Sequence, residues 1–203
     1  MEELFNGKAI PFKIPNMPHA EVYYYPNFIT GDLQEFYFKT LRENAKWQQD
    51  DIKVFGKVYP QPRLTALYAN NGKTYTYSSI TMQPEPFTEA LMEIKNSVEI
   101  KTGYSFSTCL LNLYRNGNDS NGWHADNEKE LGKNPIIASV SLGAARYFKF
   151  RSKNDKKDTR KLLLEPGSLL LMQGTTQHHW QHQLPKTAKA VGERINLTFR
   201  TIK

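Results

Sequence analysis

The sequence predicts an α+β fold that is mainly β. After Gly103 the pattern changes to short strands separated by turns, with about seven strands in about 100 residues, which is typical of a β-sandwich or barrel. Before Gly103, two stretches carry apolar residues at helical spacing. The length of 203 residues is that of one domain. We therefore expect a single β-rich domain with two helices packed outside it.

The composition is that of a folded intracellular protein. Hydrophobic residues make up 39% and aromatic residues 12%, more than a disordered chain carries. The single cysteine, Cys109, favours a reducing cytoplasmic or nuclear compartment. We expect no secretion signal and no membrane span, since the longest aliphatic runs, 162–164 and 169–172, are far too short. The net charge of +7 points only weakly to a nucleic acid partner.

The first 105 residues are expected to hold the helices. Residues 1–20 contain three prolines and no periodic apolar pattern, which predicts an extended, loosely held arm. A short strand is expected at Glu21–Tyr25 and a helix over 32–47. A second helix is expected after Pro86, with Gly103 as its stop.

Between the helices the pattern predicts a hairpin. Strands over 64–68 and 74–77 flank Asn70-Asn71-Gly72, whose Asn-Gly pair suits a tight turn with positive φ. The charged stretch 152–160 is expected to be an exposed hairpin tip. The later strands are expected at 106–114, 136–142, 147–151, 161–164, 168–172, 178–182 and 194–199.

His124-Ala125-Asp126 is a candidate metal motif. In extended backbone, residues i and i+2 point to the same face, so an imidazole and a carboxylate converge. One further imidazole would complete two His and one carboxylate, a set that suits non-heme Fe(II) with open positions. The remaining histidines are His19, His178, His179 and His182.

The last strand alternates without a break. One face of the strand is apolar and consists of Ile195, Leu197 and Phe199. The other face has no acidic residue and consists of two cations and two neutral hydrogen-bonding residues: Arg194, Asn196, Thr198 and Arg200. The two arginines could hold the two ends of a short dicarboxylate. The plain alternative is an outer strand whose polar face meets water. Asn112 and Tyr114 also share a face, either lining the same pocket or satisfying backbone groups at a strand end.

Together these segments resemble the AlkB family of Fe(II)- and 2-oxoglutarate-dependent nucleic acid dioxygenases. The resemblance rests on Asn112-Leu-Tyr114, His124-Ala-Asp126, His182 and the strand from Arg194 to Arg200, and it runs from about residue 21 to residue 203. It implies a double-stranded β-helix (jelly-roll) core over 106–203, with flanking helices and a nucleotide-recognition lid over 21–105. The whole of 21–203 would then be one dioxygenase domain.

The resemblance also implies a role for each of these residues. His124, Asp126 and His182 would ligate Fe(II), with His182 preferred over His179 and His178. The 2-oxoglutarate cosubstrate would be bound by Asn112, Tyr114, Arg194, Asn196, Thr198 and Arg200. With O2, such an enzyme oxidatively demethylates 1-methyladenine and 3-methylcytosine, releasing formaldehyde, succinate and CO2.

Within the family, the sequence resembles the branch that repairs double-stranded DNA. Val54-Phe55-Gly56-Lys57 resembles its phenylalanine finger, with Phe55 as a wedge that enters the base stack. Tyr75 and Tyr77 could stack on a flipped base, although cross-strand aromatic packing explains them as well. Asn127 and Glu128 could reach the polar edge of the base. Solvent-facing cations are candidates for phosphate contacts: Lys57, Arg63, Lys186 and Lys189.

Other functions stay open. RNA or tRNA demethylation would use the same iron site, and a protein hydroxylase or a non-catalytic nucleic-acid-binding barrel is less favoured. The expected partner is alkylated, base-flipped duplex DNA, with RNA as the alternative; we expect a monomer with no membrane association.

Overall fold

Two antiparallel sheets of seven and four strands form the centre of the protein. The structure is a computed structural model that describes residues 11–54, 56–72, 75–77 and 80–203, and the side chains of residues 53–54, 75–77 and 80–81 lie outside this description. The strands are β1 (Phe12–Lys13), β2 (Glu21–Tyr25), β3 (Asp51–Val54), β4 (Lys57–Pro60), β5 (Leu64–Ala69), β6 (Tyr75–Tyr77), β7 (Ile80–Met82), β8 (Thr108–Tyr114), β9 (Asn121–His124), β10 (Ile137–Gly143), β11 (Arg146–Ser152), β12 (Thr159–Leu164), β13 (Leu169–Gln173), β14 (Trp180–Leu184) and β15 (Arg194–Arg200).

The large sheet has the strand order β1-β2-β13-β10-β15-β8-β5, and the small sheet has the order β12-β11-β14-β9. Two further pairs, β3 with β4 and β6 with β7, stand apart as hairpins. The helices are α1 (Gly31–Asn44), α2 (Glu89–Thr102) and the single turn α3 (Thr176–His179). This mainly β arrangement confirms the predicted fold class. Among the described residues, no helix combines the length and apolar composition needed to cross a bilayer.

Two apolar clusters hold the layers together. One packs the helices onto the large sheet and includes Leu41 of α1, Leu91 of α2 and Leu197 of β15. The other joins the two sheets and includes Leu170 of the large sheet and Phe150 of the small sheet. The large sheet is therefore buried on both faces, with helices on one side and the small sheet on the other.

Strand β15 shows why this layering matters for function. Ile195, Leu197 and Phe199 belong to the cluster beneath the helices. The alternate residues, from Arg194 to Arg200, point between the sheets, and they are buried too. The predicted alternation is confirmed, and the interpretation in which the polar face meets water is wrong.

The helix ends follow local chemistry. The hydroxyl of Thr88 accepts a hydrogen bond from the Leu91 amide and caps α2, and Gly103 ends that helix in a left-handed conformation at φ 76°. Helix α1 ends at Asn44, earlier than the expected residue 47, because Ala45 is already extended. There the indole of Trp47 donates a hydrogen bond to the Arg42 carbonyl oxygen, which α1 leaves free.

The predicted hairpin over 64–77 is wrong. Strand β5 pairs with β8 in the large sheet, and β6 pairs with β7. Four of the six residues of β5 have apolar side chains that are buried, among them Leu67 and Tyr68, so burial against β8 outweighs the local Asn-Gly turn signal.

The predicted strand over 178–182 is wrong at its start. His178 and His179 close the helical turn α3, and the strand begins at Trp180. Strands β1, β3, β4, β7 and β9 were not predicted. The expected hairpin tip is confirmed, since β11 ends at Ser152, β12 begins at Thr159, and residues 154–157 between them are exposed.

The expected arm is held more firmly than predicted. Its first ten residues lie outside the described part of the chain, but in the remainder β1 pairs with β2. Ile14, Met17 and Ala20 are buried in the cluster that joins the sheets. Residues 11–20 therefore pack on the domain.

Candidate metal centre

The pairing of β9 with β14 creates the centre. His124 and His182 face each other directly across this ladder, and their ring centroids lie 4.2 Å apart. Asp126 follows just after β9, in a turn where the Asn127 amide donates to the Ala125 carbonyl oxygen. One ligand atom from each of His124, Asp126 and His182 lies within 4.8 Å of the others. The structure thus brings the three predicted ligands together, although Asp126 lies beyond the end of β9 and not in the extended backbone that the motif argument assumed.

The nitrogen atoms of His124 are oriented for ligation. Nδ1 of His124 lies 2.7 Å from the Gly122 carbonyl oxygen, which assigns the N–H to Nδ1. Its Nε2 lies 3.3 Å from the side-chain nitrogen Nδ2 of Asn121 and so carries the lone pair. The ring of His182 is stacked on Phe148 at 5.3 Å.

Burial and charge set the protonation states. Burial, aided by the neighbouring His124, lowers the pKa of His182 to about 3, and burial also lowers the pKa of His124. For Asp126, burial alone would raise the pKa, but the Arg200 guanidinium and the two imidazoles outweigh it and lower the pKa to about 2. At neutral pH the cluster is therefore two neutral imidazoles and one carboxylate, the form that a metal ion requires.

The other two histidines from the same stretch lie elsewhere. His178 is exposed, and its Nε2 lies 2.9 Å from Oδ1 of Asn134. The ring of His179 packs on His19 at a centroid distance of 4.7 Å. Neither is in the cluster, in agreement with the preference for His182.

A cavity between the sheets opens beside the cluster. It is lined by all six residues predicted to bind 2-oxoglutarate and by the three candidate metal ligands. Apolar side chains, among them Leu110, Phe148 and Met172, form most of the rest of its wall. Ser139 also lines it, on the strand that pairs with β15. The alternation of the segment 136–142, with Ser139 and Ser141 on one face, is the signal that could have placed Ser139 here.

The two arginines of β15 have different surroundings. Arg200 donates from Nη2 to Oδ1 of Asp126 at 2.7 Å. Arg194 donates to the Ser141 hydroxyl at 2.9 Å, and none of the described carboxylates pairs with it. Burial lowers the pKa of Arg194 to about 10, so it is still a cation at neutral pH. A buried cation with a buried Nε that has no hydrogen-bond partner suits an anionic ligand.

The neutral residues at the cavity have partners within the protein. Asn196 donates to the Ser139 hydroxyl at 2.7 Å and accepts from the Thr198 hydroxyl at 3.0 Å. The carbonyl oxygen of the Asn112 side chain accepts from Nε of Arg63 at 2.8 Å. Arg63 is 3% exposed, so the prediction that it contacts phosphate from the surface is wrong.

The expected substrate contacts are only partly described. Phe55 and the side chains of Tyr75 and Tyr77 lie outside the described residues. Gly56, at φ 79°, and Lys57 are exposed at the β3–β4 turn. Asn127 is exposed and Glu128 is half-buried, and neither lines the cavity.

Two imidazoles and a carboxylate are the set of protein ligands that is typical of non-heme Fe(II) oxygenases. The comparisons with known proteins agree. Residues 21–200 match the model of the 2OG-Fe(II) oxygenase superfamily. The chain belongs to the AlkB family of that superfamily, whose model and relatives it matches over most of its length.

Two relatives illustrate the likeness. Alpha-ketoglutarate-dependent dioxygenase alkB homolog 3 of Bos taurus is 43% identical over 191 residues, which is 87% of this chain and 64% of the relative. DNA oxidative demethylase ALKBH2 of Homo sapiens is 43% identical over 158 residues, or 74% of this chain and 60% of the relative. The chain thus spans less than two thirds of the length of these relatives.

The fold has a match among solved structures as well. The structure of OsALKBH1 superposes with a TM-score of 0.62 and covers 94% of this chain and 100% of that chain. Since only 18% of residues are identical, this match supports the fold alone.

Proposed function

We propose that this protein is a dioxygenase that uses Fe(II), O2 and 2-oxoglutarate to remove alkyl groups from the ring nitrogens of DNA bases. The proposal rests on one observation: the same cavity is lined by the His124–Asp126–His182 cluster and by Arg194. Arg194 is buried, and none of the described carboxylates pairs with it. The names of the relatives, a DNA oxidative demethylase and an alpha-ketoglutarate-dependent dioxygenase, support it.

The donor set fits the metal. Nitrogen ligands from two neutral histidines and one carboxylate leave coordination positions open for a cosubstrate and oxygen. When bound, Fe(II) with 2-oxoglutarate and O2 supplies the oxidation that turns an N-methyl group into formaldehyde, with succinate and CO2 as the other products. The chain itself contributes the ligands, the cavity and the apolar walls that exclude water.

The cosubstrate has a suitable place next to the metal. Arg194 would pair with one carboxylate of 2-oxoglutarate through its planar guanidinium, and Ser141 holds that guanidinium in position at 2.9 Å. Tyr114 lies under the same guanidinium, with its ring centroid 5.4 Å from Cζ of Arg194. The residues between Arg194 and the cluster, Asn196 and Thr198, would line the path.

A nucleic acid substrate is supported by a basic surface. A shallow depression at the small sheet has no acidic residue among its described lining residues. Four lysines line it: Lys149, Lys161, Lys186 and Lys189. Nζ of Lys161 lies 3.5 Å from the ring centroid of Tyr147, which is exposed. Such a surface suits phosphates, which bind through charge rather than through sequence.

We further propose duplex DNA as the substrate, with the target base flipped out, and a monomeric protein acting in the cytoplasm or nucleus. A base inside a duplex is out of reach of a buried centre, so it must leave the stack. The sequence Val54-Phe55-Gly56-Lys57 supports an inserted phenylalanine, and Lys57 beside it is exposed to phosphate.

The experiment compares four oligonucleotides that carry 1-methyladenine or 3-methylcytosine: single- and double-stranded DNA and RNA. Release of formaldehyde is expected from the DNA substrates, with duplex DNA preferred. Phe55→Ala should reduce activity on the duplex more than on the single strand, since only the duplex has a gap to fill. A wild-type protein that prefers RNA would favour the RNA demethylase alternative. If Phe55→Ala loses as much activity on single-stranded DNA as on duplex DNA, Phe55 has no specific role in opening the duplex.

A further inference from the structure

The backbone amide of Asp126 is held by a distant side chain. Asp126 lies beyond the end of β9, where none of the described strands accepts its N–H. That N–H donates instead to Oε1 of Gln177 at 3.0 Å, and each of the two residues is 1% exposed. A buried amide requires such an acceptor, so Gln177 replaces the missing strand partner.

Gln177 is itself fixed by contacts on several sides. Its main-chain carbonyl oxygen accepts from Nζ of Lys153 at 2.8 Å, and its side-chain Nε2 lies 3.6 Å from the sulfur of Met172. The preceding residue, Thr176, donates to the Gln173 carbonyl oxygen and accepts from the Glu21 amide. The acceptor presented to Asp126 is therefore rigid.

We propose that Gln177 is a positioning residue for the carboxylate of the metal centre. The inference rests on the metal site of the proposed function. The Gln177 side chain fixes the peptide plane between Ala125 and Asp126, from which the carboxylate projects. With its backbone fixed, Asp126 keeps Oδ1 on Arg200 at 2.7 Å and Oδ2 3.7 Å from Nε2 of His182. Groups that orient ligands in this way raise metal affinity by about ten- to hundredfold.

The position of Gln177 in the chain links it to the metal centre. Gln177 belongs to α3, directly before the strand that carries His182. One short segment thus supplies a ligand and the group that orients a second ligand from β9. A purely structural role for Gln177 would lower stability without altering the geometry of the carboxylate, and the two roles predict different metal affinities.

The test measures Mn(II) binding to the metal-free protein, with three substitutions at position 177. Gln177→Met keeps the length and loses the acceptor, Gln177→Glu keeps an acceptor at the same reach, and Gln177→Asn is too short. The control is Gln173→Met, because Nε2 of Gln173 donates to Glu21 and lies outside the centre. Urea denaturation of each metal-free variant establishes that it is folded.

We expect the Kd for Mn(II) to rise about ten- to hundredfold in Gln177→Met and Gln177→Asn. Gln177→Glu and Gln173→Met should stay within about threefold of the wild type, since both leave the Asp126 amide with its acceptor. If Gln177→Met fails to fold, the Kd values for Mn(II) of Gln177→Glu and Gln177→Asn are compared instead, and a weaker affinity in Gln177→Asn supports the proposal.

A folded Gln177→Met or Gln177→Asn protein with wild-type Mn(II) affinity would overturn the proposal, as would a Glu variant as weak as the Asn variant. A wild-type protein that binds no Mn(II) would be a different result, because it would contradict the metal site itself.

Discussion

Arg200 and Asp126 form a buried ion pair, with Nη2 2.7 Å from Oδ1 and both side chains no more than 5% exposed. We expect Arg200→Met to reduce the free energy of unfolding of the metal-free protein by about 3 to 5 kcal/mol, because it leaves the carboxylate buried without its cation. Urea denaturation measures this loss. The control is Arg42→Met, whose partner Glu193 is 33% exposed, and it should cost at most about 1 kcal/mol. Equal losses in the two variants would contradict the account.

His182 rather than His179 is expected to bind the metal. His182→Ala removes one of three clustered ligand atoms and should abolish Mn(II) binding, whereas His179→Ala removes a ring that packs on His19 and should leave binding intact. Isothermal titration of the metal-free proteins gives both affinities. Retained binding in His182→Ala, with loss in His179→Ala, would reverse the assignment.

Arg194 is expected to hold a carboxylate of 2-oxoglutarate. Arg194→Lys keeps the charge but loses the planar fork, so affinity for 2-oxoglutarate should fall about ten- to hundredfold, the worth of one charged hydrogen bond. Fluorescence titration with Mn(II) in place is the measurement. The matched control is Arg115→Lys, since Arg115 pairs with Asp119 outside the cavity. Unchanged affinity in Arg194→Lys would remove this residue from the cosubstrate site.

Metal binding is expected to persist at acid pH. Two histidines with the ordinary pKa of about 6.5 would together lose about two orders of magnitude in affinity between pH 7.5 and 5.5, as protons replace the metal. Here burial lowers the pKa of His182 to about 3, so this imidazole stays neutral throughout the range, and burial also lowers the pKa of His124 below its ordinary value. The Kd for Mn(II) should therefore change by less than about tenfold. A loss of about a hundredfold would show that the histidines titrate normally.

Local patterns identified the site better than they identified the pairing of strands. The alternation from Arg194 to Arg200 predicted which side chains share a face, because that depends only on the two-residue period of a strand. It could not show that the polar face is buried, which results from the small sheet packing across it. The same limit explains the wrong hairpin: the Asn-Gly signal is local, whereas β5 pairs with a strand that begins almost 40 residues later in the chain.

Two residues show what spacing alone could not reveal. Arg63 was expected at the surface as a phosphate contact, but it bonds to Asn112 inside the protein. Gln177 carried no signal in the sequence, because its role comes from a contact with Asp126 that joins positions 51 residues apart. The sequence shows which residues are polar, and its periodicity shows which side chains share a face of a strand. Only the packing of the sheets decides which of these side chains are buried.

The most direct test of the central claim is a turnover measurement. Purified protein is given Fe(II), O2 and 2-oxoglutarate, with either a methylated oligonucleotide or its unmethylated twin, and succinate and formaldehyde are quantified together. We expect the methylated DNA to raise succinate formation and to release formaldehyde in near-equal amount, and we expect Asp126→Ala to produce neither. Succinate formed at the same rate with both oligonucleotides, and no formaldehyde, would contradict it.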